Sequence, residues 1–230
     1  VDLFLPSLNE NAPVFAVPNR VFVDADELLY ELNCDGIEGE VQEDLVMITS
    51  SFNLKECRAF QNGLFHIEDM SCYNAVKVLD VKENDVVLDV CSAPGGKAFS
   101  AASFMNNQGK VYALDIYEHR VDLIKAGADR LGLTSVCPMV NDACKFNSSL
   151  PAADKIICDV PCSGFGIIRR KPEIRYKDLD SIKDLPDLQF KILNTSSKYL
   201  KSGGKLLYST CTLNKRENEN ASNNEMIKLL

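Results

Sequence analysis

Val86-Val87-Leu88-Asp89-Val90-Cys91-Ser92-Ala93-Pro94-Gly95-Gly96-Lys97 is the stretch whose reading decides the fold: an apolar run carrying one aspartate, a Pro-Gly-Gly turn, and a lysine opening a new segment. Val86 to Val90 reads as a buried strand and Lys97 to about Met105 as the helix that follows it. Outward from this unit the alternation continues. Val111 to Asp115 reads as a strand, Glu118 to Leu131 as a helix stopped by Gly132, and Val136 to Val140 and Lys155 to Asp159 as two more strands. A long connection leads to a helix near Pro186 to Tyr199, with Pro186 in its first turn where the missing N–H costs nothing. Lys205 to Thr210 reads as the fifth strand, after a Ser-Gly-Gly stop, and Glu217 onward as helical. Strands alternating with helices predict an α/β class, a Rossmann-like, mostly parallel sheet with helices on both faces.

The residues before this unit differ in character. Residues 1–72 mix short apolar runs with turn residues and read as a small α+β subdomain, with a helix over Asp24 to Leu32 and a turn at Asn62-Gly63. Ser71 to Leu79 reads as a short helix leading into residues 73–230. The formal charge of −8 over 230 residues is divided unevenly. Residues 1–85 hold 17 acidic and 5 basic groups, net −12, and residues 86–230 hold 16 acidic and 20 basic, net +4. Binding of a polyanion depends on local neutralisation of phosphates, so the overall acidity weakens a nucleic-acid reading without excluding it.

Nine cysteines, an odd number, with two histidines and no Cys-x-x-Cys pair, argue against a disulfide framework and against structural zinc. With no apolar run of membrane-spanning length and no targeting signal, the expectation is a cytoplasmic monomer without metal or membrane, cut from a longer chain.

A doubly wound sheet binds ligands beyond the carboxyl ends of its strands. Asp89 with the loop Cys91–Lys97, Asp115, Asn141-Asp142, Asp159 with Pro161-Cys162, and Thr210-Cys211 all fall on that rim. The loop Cys91, Ser92, Ala93, Pro94, Gly95, Gly96, Lys97 lacks the glycine spacing of a dinucleotide fold, and Lys97-Ala98 breaks a phosphate-binding Gly-Lys-Ser/Thr loop. Asp115, about 20 residues on, can accept hydrogen bonds from a ribose diol, and Asp142 can receive an adenine amino group. Each alone is as readily a helix cap. Together with the loop they outline a nucleoside site better suited to S-adenosylmethionine than to NAD.

Asp159-Val-Pro-Cys162-Ser-Gly-Phe-Gly166 and Ser209-Thr-Cys211-Thr-Leu-Asn214 place one cysteine after each of two strands expected to be neighbours. A strand-end cysteine is usually an inert hydrophobe, but two on one rim in Gly/Ser/Thr surroundings are unlike that. With Phe60-Gln-Asn-Gly-Leu-Phe-His-Ile-Glu-Asp69, Val87 to Lys97, the continuation of the first cysteine motif through Ile167-Ile168-Arg169-Arg170 and that of the second through Lys215-Arg216-Glu217-Asn218-Glu219, these motifs resemble the Sun/Fmu-type RNA cytosine-5 methyltransferases, over about residues 20–225, and among them the ribosomal branch. The resemblance implies a class I S-adenosylmethionine-dependent methyltransferase fold. It implies that Cys91–Lys97, Asp115, Asp142 and Asp159 hold the cofactor, that Cys211 is the nucleophile, and that Cys162 assists product release. It further implies that Asp159 contacts the target base. Lys97 is expected to help lower the thiol pKa, and the basic run Arg169 to Lys177 to meet phosphates, with Tyr176 stacking on a base. That family ordinarily carries an N-terminal helical RNA-binding domain and two more strands after the Thr-Cys segment, so the chain is expected to be truncated. A non-catalytic RNA-binding or ribosome-assembly factor is the main competing reading, and a small-molecule methyltransferase a third, which the paired cysteines disfavour.

Overall fold

The computed structural model describes residues 10–218. In the first unit, β1 (Val14–Pro18), β2 (Gly39–Gln42), β3 (Leu45–Ile48) and β4 (Phe65–Ile67) form an antiparallel sheet of order β2-β3-β1-β4. Against it lie helix α1 (Ala25–Cys34) and the short α2 (Arg58–Gln61). α1 starts where Asp24 accepts the Glu27 N–H and the Glu27 carboxylate accepts the Asp24 N–H, a reciprocal pair that satisfies two otherwise orphaned donors. Leu28 and Leu32, one turn apart, are fully buried against Ala16, Val46 and Phe65.

The second unit is a five-stranded parallel sheet of order β7-β6-β5-β8-β9, from β5 (Val86–Asp89), β6 (Lys110–Asp115), β7 (Val136–Val140), β8 (Ala153–Asp159) and β9 (Leu200–Ser209). Side chains alternate between its two faces. Val87, Val111, Ala113 and Ile157 enter a core with α4 (Gly96–Phe104) and α5 (Glu118–Leu131), whereas Leu88, Leu114, Ile156 and Cys158 enter another with Ile192 and Leu193 of α6 (Leu185–Ser196). Burying each large aliphatic chain contributes about 1.5–3 kcal/mol, so both layers are needed to hold these strands. Ala98, Ala101 and Ala102 let α4 approach β5 closely. Chain order reverses between β5 and β8, and Asp89 and Asp159 end the two strands that flank this crevice.

Helix α3 (Met70–Leu79) crosses position 72, where the subdomain boundary is expected, and packs on both units. Tyr73 joins Phe15, Val17 and Leu45, while Val76 and Leu79 join the Val87 core. The units are also joined where Asn19 donates to the Gly63 and Leu131 carbonyls and Arg130 donates to those of Phe60 and Phe65.

Two sequence expectations need correction. β9 begins at Leu200 rather than Lys205: Ser202-Gly203-Gly204 does not stop a helix but runs inside the strand, where the register shift opposite Ala153 and Lys155 absorbs it. Glu217 ends a 3-10 turn, Lys215–Glu217, and the helix expected beyond it lies outside the described residues. Among the described residues no helix is long and apolar enough to cross a membrane, and no cluster of His, Cys, Asp and Glu could hold a metal ion.

Candidate active site

The loop after β5 is fixed at both ends. The Val90 N–H donates to Ile157 O (3.0 Å) and the Ser92 N–H to Leu114 O (2.8 Å), so the two neighbouring strands set where it leaves the sheet. Gly95 has φ +113°, and a Cβ there would meet the Phe99 ring at 2.4 Å. Only glycine allows the turn. A Cβ on Gly96 would lie 2.7 Å from Glu68 Oε1, so this turn also brings main chain against the first unit. The result is a pocket of about 180 Å³ lined by Asp89, Cys91, Ser92, Ala93, Pro94, Gly96, Lys97 and Asp159, with Glu68 and Cys72 as its opposite wall.

Both carboxylate oxygens of Asp89 and the hydroxyl of Ser92 are buried without a hydrogen-bond partner. Buried polar atoms are rarely left so, and burial pushes Asp89 up to about 7. A ligand with N–H or O–H donors would satisfy them, and this is the observation on which a polar cofactor fits the pocket.

The expected cofactor residues are not all brought together. Asp115 is buried at the end of β6, where Oδ1 accepts the Tyr117 N–H (3.3 Å) and Oδ2 lies 3.4 Å from Arg120. Arg120 also donates to Ala93 O (2.8 Å), tying Asp115 to the glycine loop. Asp142 follows β7, accepting the Cys144 N–H (3.0 Å) and pairing with Lys145 (2.9 Å), contacts that hold its carboxyl below the usual range. Asp115 and Asp142 therefore stand beside the pocket at adjacent strand ends, outside its lining.

The cysteines meet because Asp159 of β8 pairs with Ser209 of β9. Cys162 and Cys211 then come three and two residues later, with Sγ atoms 3.2 Å apart and the Cys211 N–H on Cys162 Sγ at 3.3 Å. Gly166 crosses beneath, its N–H on Cys211 O at 2.9 Å, and a Cβ there would lie 2.8 Å from that oxygen. Asp159 accepts from Ser209 Oγ on one oxygen (2.7 Å) and from Lys97 Nζ on the other (2.8 Å).

Lys97, expected to help lower a thiol pKa, pairs with Asp159. Its ammonium spans Asp159 and Cys72 Sγ (3.2 Å); burial would lower its pKa, but the Asp159 charge outweighs this and raises it, so Lys97 stays protonated. What shifts the thiols is their own pairing. The hydrogen bond from Cys211 brings Cys162 down to about 7, and the same bond, with burial, raises Cys211. The two share one proton, and the first lost near neutrality belongs to the pair. Alkylation by iodoacetamide, read by peptide mass spectrometry, is accordingly expected to rise at this pair through a midpoint near pH 7. Cys158, which burial raises to about 12, stays unmodified there; a midpoint in the ordinary thiol range would contradict the shared proton.

Part of the basic run also contacts the protein itself. Arg169 donates to Glu10 and Asn11, Arg170 to Pro13 O and Asp69, and Lys177 to Ser163 O (3.0 Å). These contacts fasten the segment after Cys162 to the first unit; Tyr176 remains 90% exposed. The sequence alone assigns no role to Glu68, Cys72, Arg120 or the buried Glu217. Glu68, inside the Phe-His-Ile-Glu stretch, and Glu217, inside the stretch from Ser209 to Glu219, lie in motifs that carry the resemblance.

With this geometry in view, comparison with known proteins places the chain. Residues 76–228 match the model of 16S rRNA methyltransferase RsmB/F. The chain belongs to that family. Among RsmB/F relatives, the probable ribosomal RNA small subunit methyltransferase B of Bacillus subtilis is 41% identical over 207 residues, which cover 87% of this chain and 46% of that protein. A tRNA (cytosine(72)-C(5))-methyltransferase of Pyrococcus horikoshii is 34% identical, over 73% of this chain and 42% of that one. A solved methyltransferase homolog from Pyrococcus horikoshii superposes with a TM-score of 0.82 at 29% identity, covering 94% of this chain and 70% of that one. The fold is thus the Rossmann-like methyltransferase fold. The chain spans about half the length, or less, of the curated RsmB/F relatives it matches.

Proposed function

We propose that the protein transfers a methyl group from S-adenosylmethionine to carbon 5 of a cytosine in cytoplasmic RNA, that of the small ribosomal subunit, with Cys211 as nucleophile. The observation that carries this reading is the 3.2 Å approach of Cys162 and Cys211 just past the ends of two paired strands, the first of which ends in Asp159 on the lining of the glycine-turn pocket. The cofactor supplies, when bound, a methyl group on a positively charged sulfur. Cys91–Lys97 would hold it, Asp89 and Ser92 suiting its charged amino-acid end, Asp115 its ribose and Asp142 its adenine.

Carbon 5 of cytosine is a poor nucleophile. Addition of Cys211 sulfur to carbon 6 makes the ring an enamine, with the Cys211 proton passing to Cys162. Asp159 accepts the exocyclic amino N–H and holds the base in place. Cys162 passes that proton on to solvent and is again a thiolate. It can then take the carbon-5 proton after methylation, and the electrons of that C–H bond expel Cys211 and restore the aromatic ring. A paired cytosine would have to leave its helix to reach the rim. Residues 1–72, whose Glu68 and Cys72 wall the pocket, would help hold the RNA.

The family and the Bacillus relative support ribosomal RNA, while the Pyrococcus relative makes tRNA the outcome to test against. Saturable S-adenosylmethionine binding by the intact protein, with one bisulfite-resistant cytosine of small-subunit RNA lost when the gene is deleted, is expected. Loss of a tRNA signal instead would overturn the substrate class. Cofactor binding with no lost signal in any RNA would favour a non-catalytic assembly factor.

A further inference from the structure

Resting on the cysteine-pair reading above, we propose that Glu217 is a positioning residue that sets the Cys162–Cys211 geometry by cross-linking the two loops that carry them. Glu217 is fully buried, and among the described residues its carboxylate accepts from N–H donors. One oxygen accepts the backbone N–H of Ser163, next to Cys162 (2.8 Å), and the Gln189 side chain (3.0 Å). The other accepts the side chain of Asn214, three residues past Cys211 (2.8 Å). Gln189 also donates to Pro161 O (2.9 Å), so both residues flanking Cys162 are held through this one carboxylate. Ser163 Oγ and Thr212 Oγ1, neighbours of the two cysteines, bond each other at 2.6 Å.

A buried carboxylate costs free energy unless its lone pairs are filled, and here three N–H donors from three segments fill them. The first consequence is that burial, which by itself would raise the Glu217 pKa, is outweighed by the Ser163 and other bonds, so the group is ionised. The second is geometric. A thiol pair works only while its sulfurs stay within hydrogen-bond reach, and the Glu217 carboxylate bonds one loop at Ser163 and the other at Asn214.

The amide isostere cannot do the same. In E217Q one of the three donors faces an NH2 group, so the cross-link loses a bond and gains a repulsion. N214D in the same chain reverses the polarity of that contact. The introduced carboxylate accepts from the introduced amide and still accepts the Arg216 N–H that Asn214 Oδ1 now takes (3.2 Å), while the amide oxygen keeps Ser163 and Gln189.

The test compares the intact wild-type protein, E217Q and E217Q/N214D by methyl-transfer kinetics and by the pH midpoint of iodoacetamide reaction at Cys162 and Cys211. Charged or titratable groups around Cys162 are Cys211, Tyr208, Glu217 and Lys177. E217Q is expected to lose roughly 10- to 100-fold in kcat with KM for RNA little changed. Its alkylation midpoint should move up from about 7 toward the ordinary thiol value as the sulfurs part. The double variant should recover both. A purely electrostatic role would move the midpoint down, because a negative neighbour is removed, and a purely structural one would leave it in place; either overturns the proposal, as does a folded double variant that recovers nothing. The alkylation arm needs neither RNA nor cofactor. If the midpoints move as expected but wild-type protein methylates no RNA, it is the functional reading that fails and the positioning role that survives.

Discussion

Replacing Cys211 with alanine is expected to abolish methyl transfer to RNA while leaving the protein folded. Without a sulfur to add at carbon 6, the ring never becomes an enamine, and carbon 5 has no electrons to offer a methyl group. Removing a covalent nucleophile costs on the order of 10⁴-fold or more in kcat. The side chain is exposed at the rim, so its loss leaves no cavity and stability should stay within about 0.5 kcal/mol. Methyl incorporation into RNA, with thermal unfolding as the control, reads both. Incorporation at more than a few per cent of the wild-type rate would remove Cys211 from the role assigned to it.

Replacing Cys162 with alanine should produce a different failure. Attack survives, because Cys211 can still ionise, but it needs higher pH, since the partner that takes its proton is gone. Release suffers more. With no thiolate beside the adduct to remove the carbon-5 proton, turnover should fall by roughly 10²- to 10⁴-fold, the usual contribution of general acid–base catalysis. The methylated RNA then stays bound to Cys211, and a protein–RNA adduct that survives denaturing electrophoresis should accumulate from ordinary, unmodified RNA. Loss of activity with no adduct would place Cys162 in the attack rather than the release.

Much of this site was legible in the sequence because it is built from short-range rules. Gly132 stops α5 at the residue expected, and Pro94-Gly95-Gly96 makes a turn that only glycine permits at Gly95. The meeting of Cys162 and Cys211 followed from two strand ends and one parallel register. What the sequence hid depends on partners distant along the chain. Ser202-Gly203-Gly204 reads locally as a stop, yet pairing with β8 carries β9 through it. Lys97 stands in the right loop, but which charge it meets was decided by Asp159, 62 residues on. Nothing near Arg169 and Arg170 in sequence shows that they also bond Glu10, Asn11, Pro13 and Asp69. Glu217, in a run of Arg, Glu and Asn, looks like surface; only the convergence of Ser163, Gln189 and Asn214 buries it.

The electrostatics carry a sign that can be followed with pH. Below about 7 the cysteine pair holds both protons and no thiolate is available; above it, one sulfur is charged and the other carries the shared proton. The rate of adduct formation should therefore climb through neutrality and level off above it, rather than continue rising into the range of an isolated thiol.

RNA carrying 5-fluorocytidine at the target gives the most direct reading of the central claim, since fluorine in place of the carbon-5 hydrogen leaves no proton to remove and arrests the reaction after methylation. With S-adenosylmethionine and the intact protein, peptide mass spectrometry should find the methylated nucleotide joined to Cys211 sulfur and to no other residue. A nucleotide on Cys162, or complete methylation with no protein-bound RNA at all, would contradict the account.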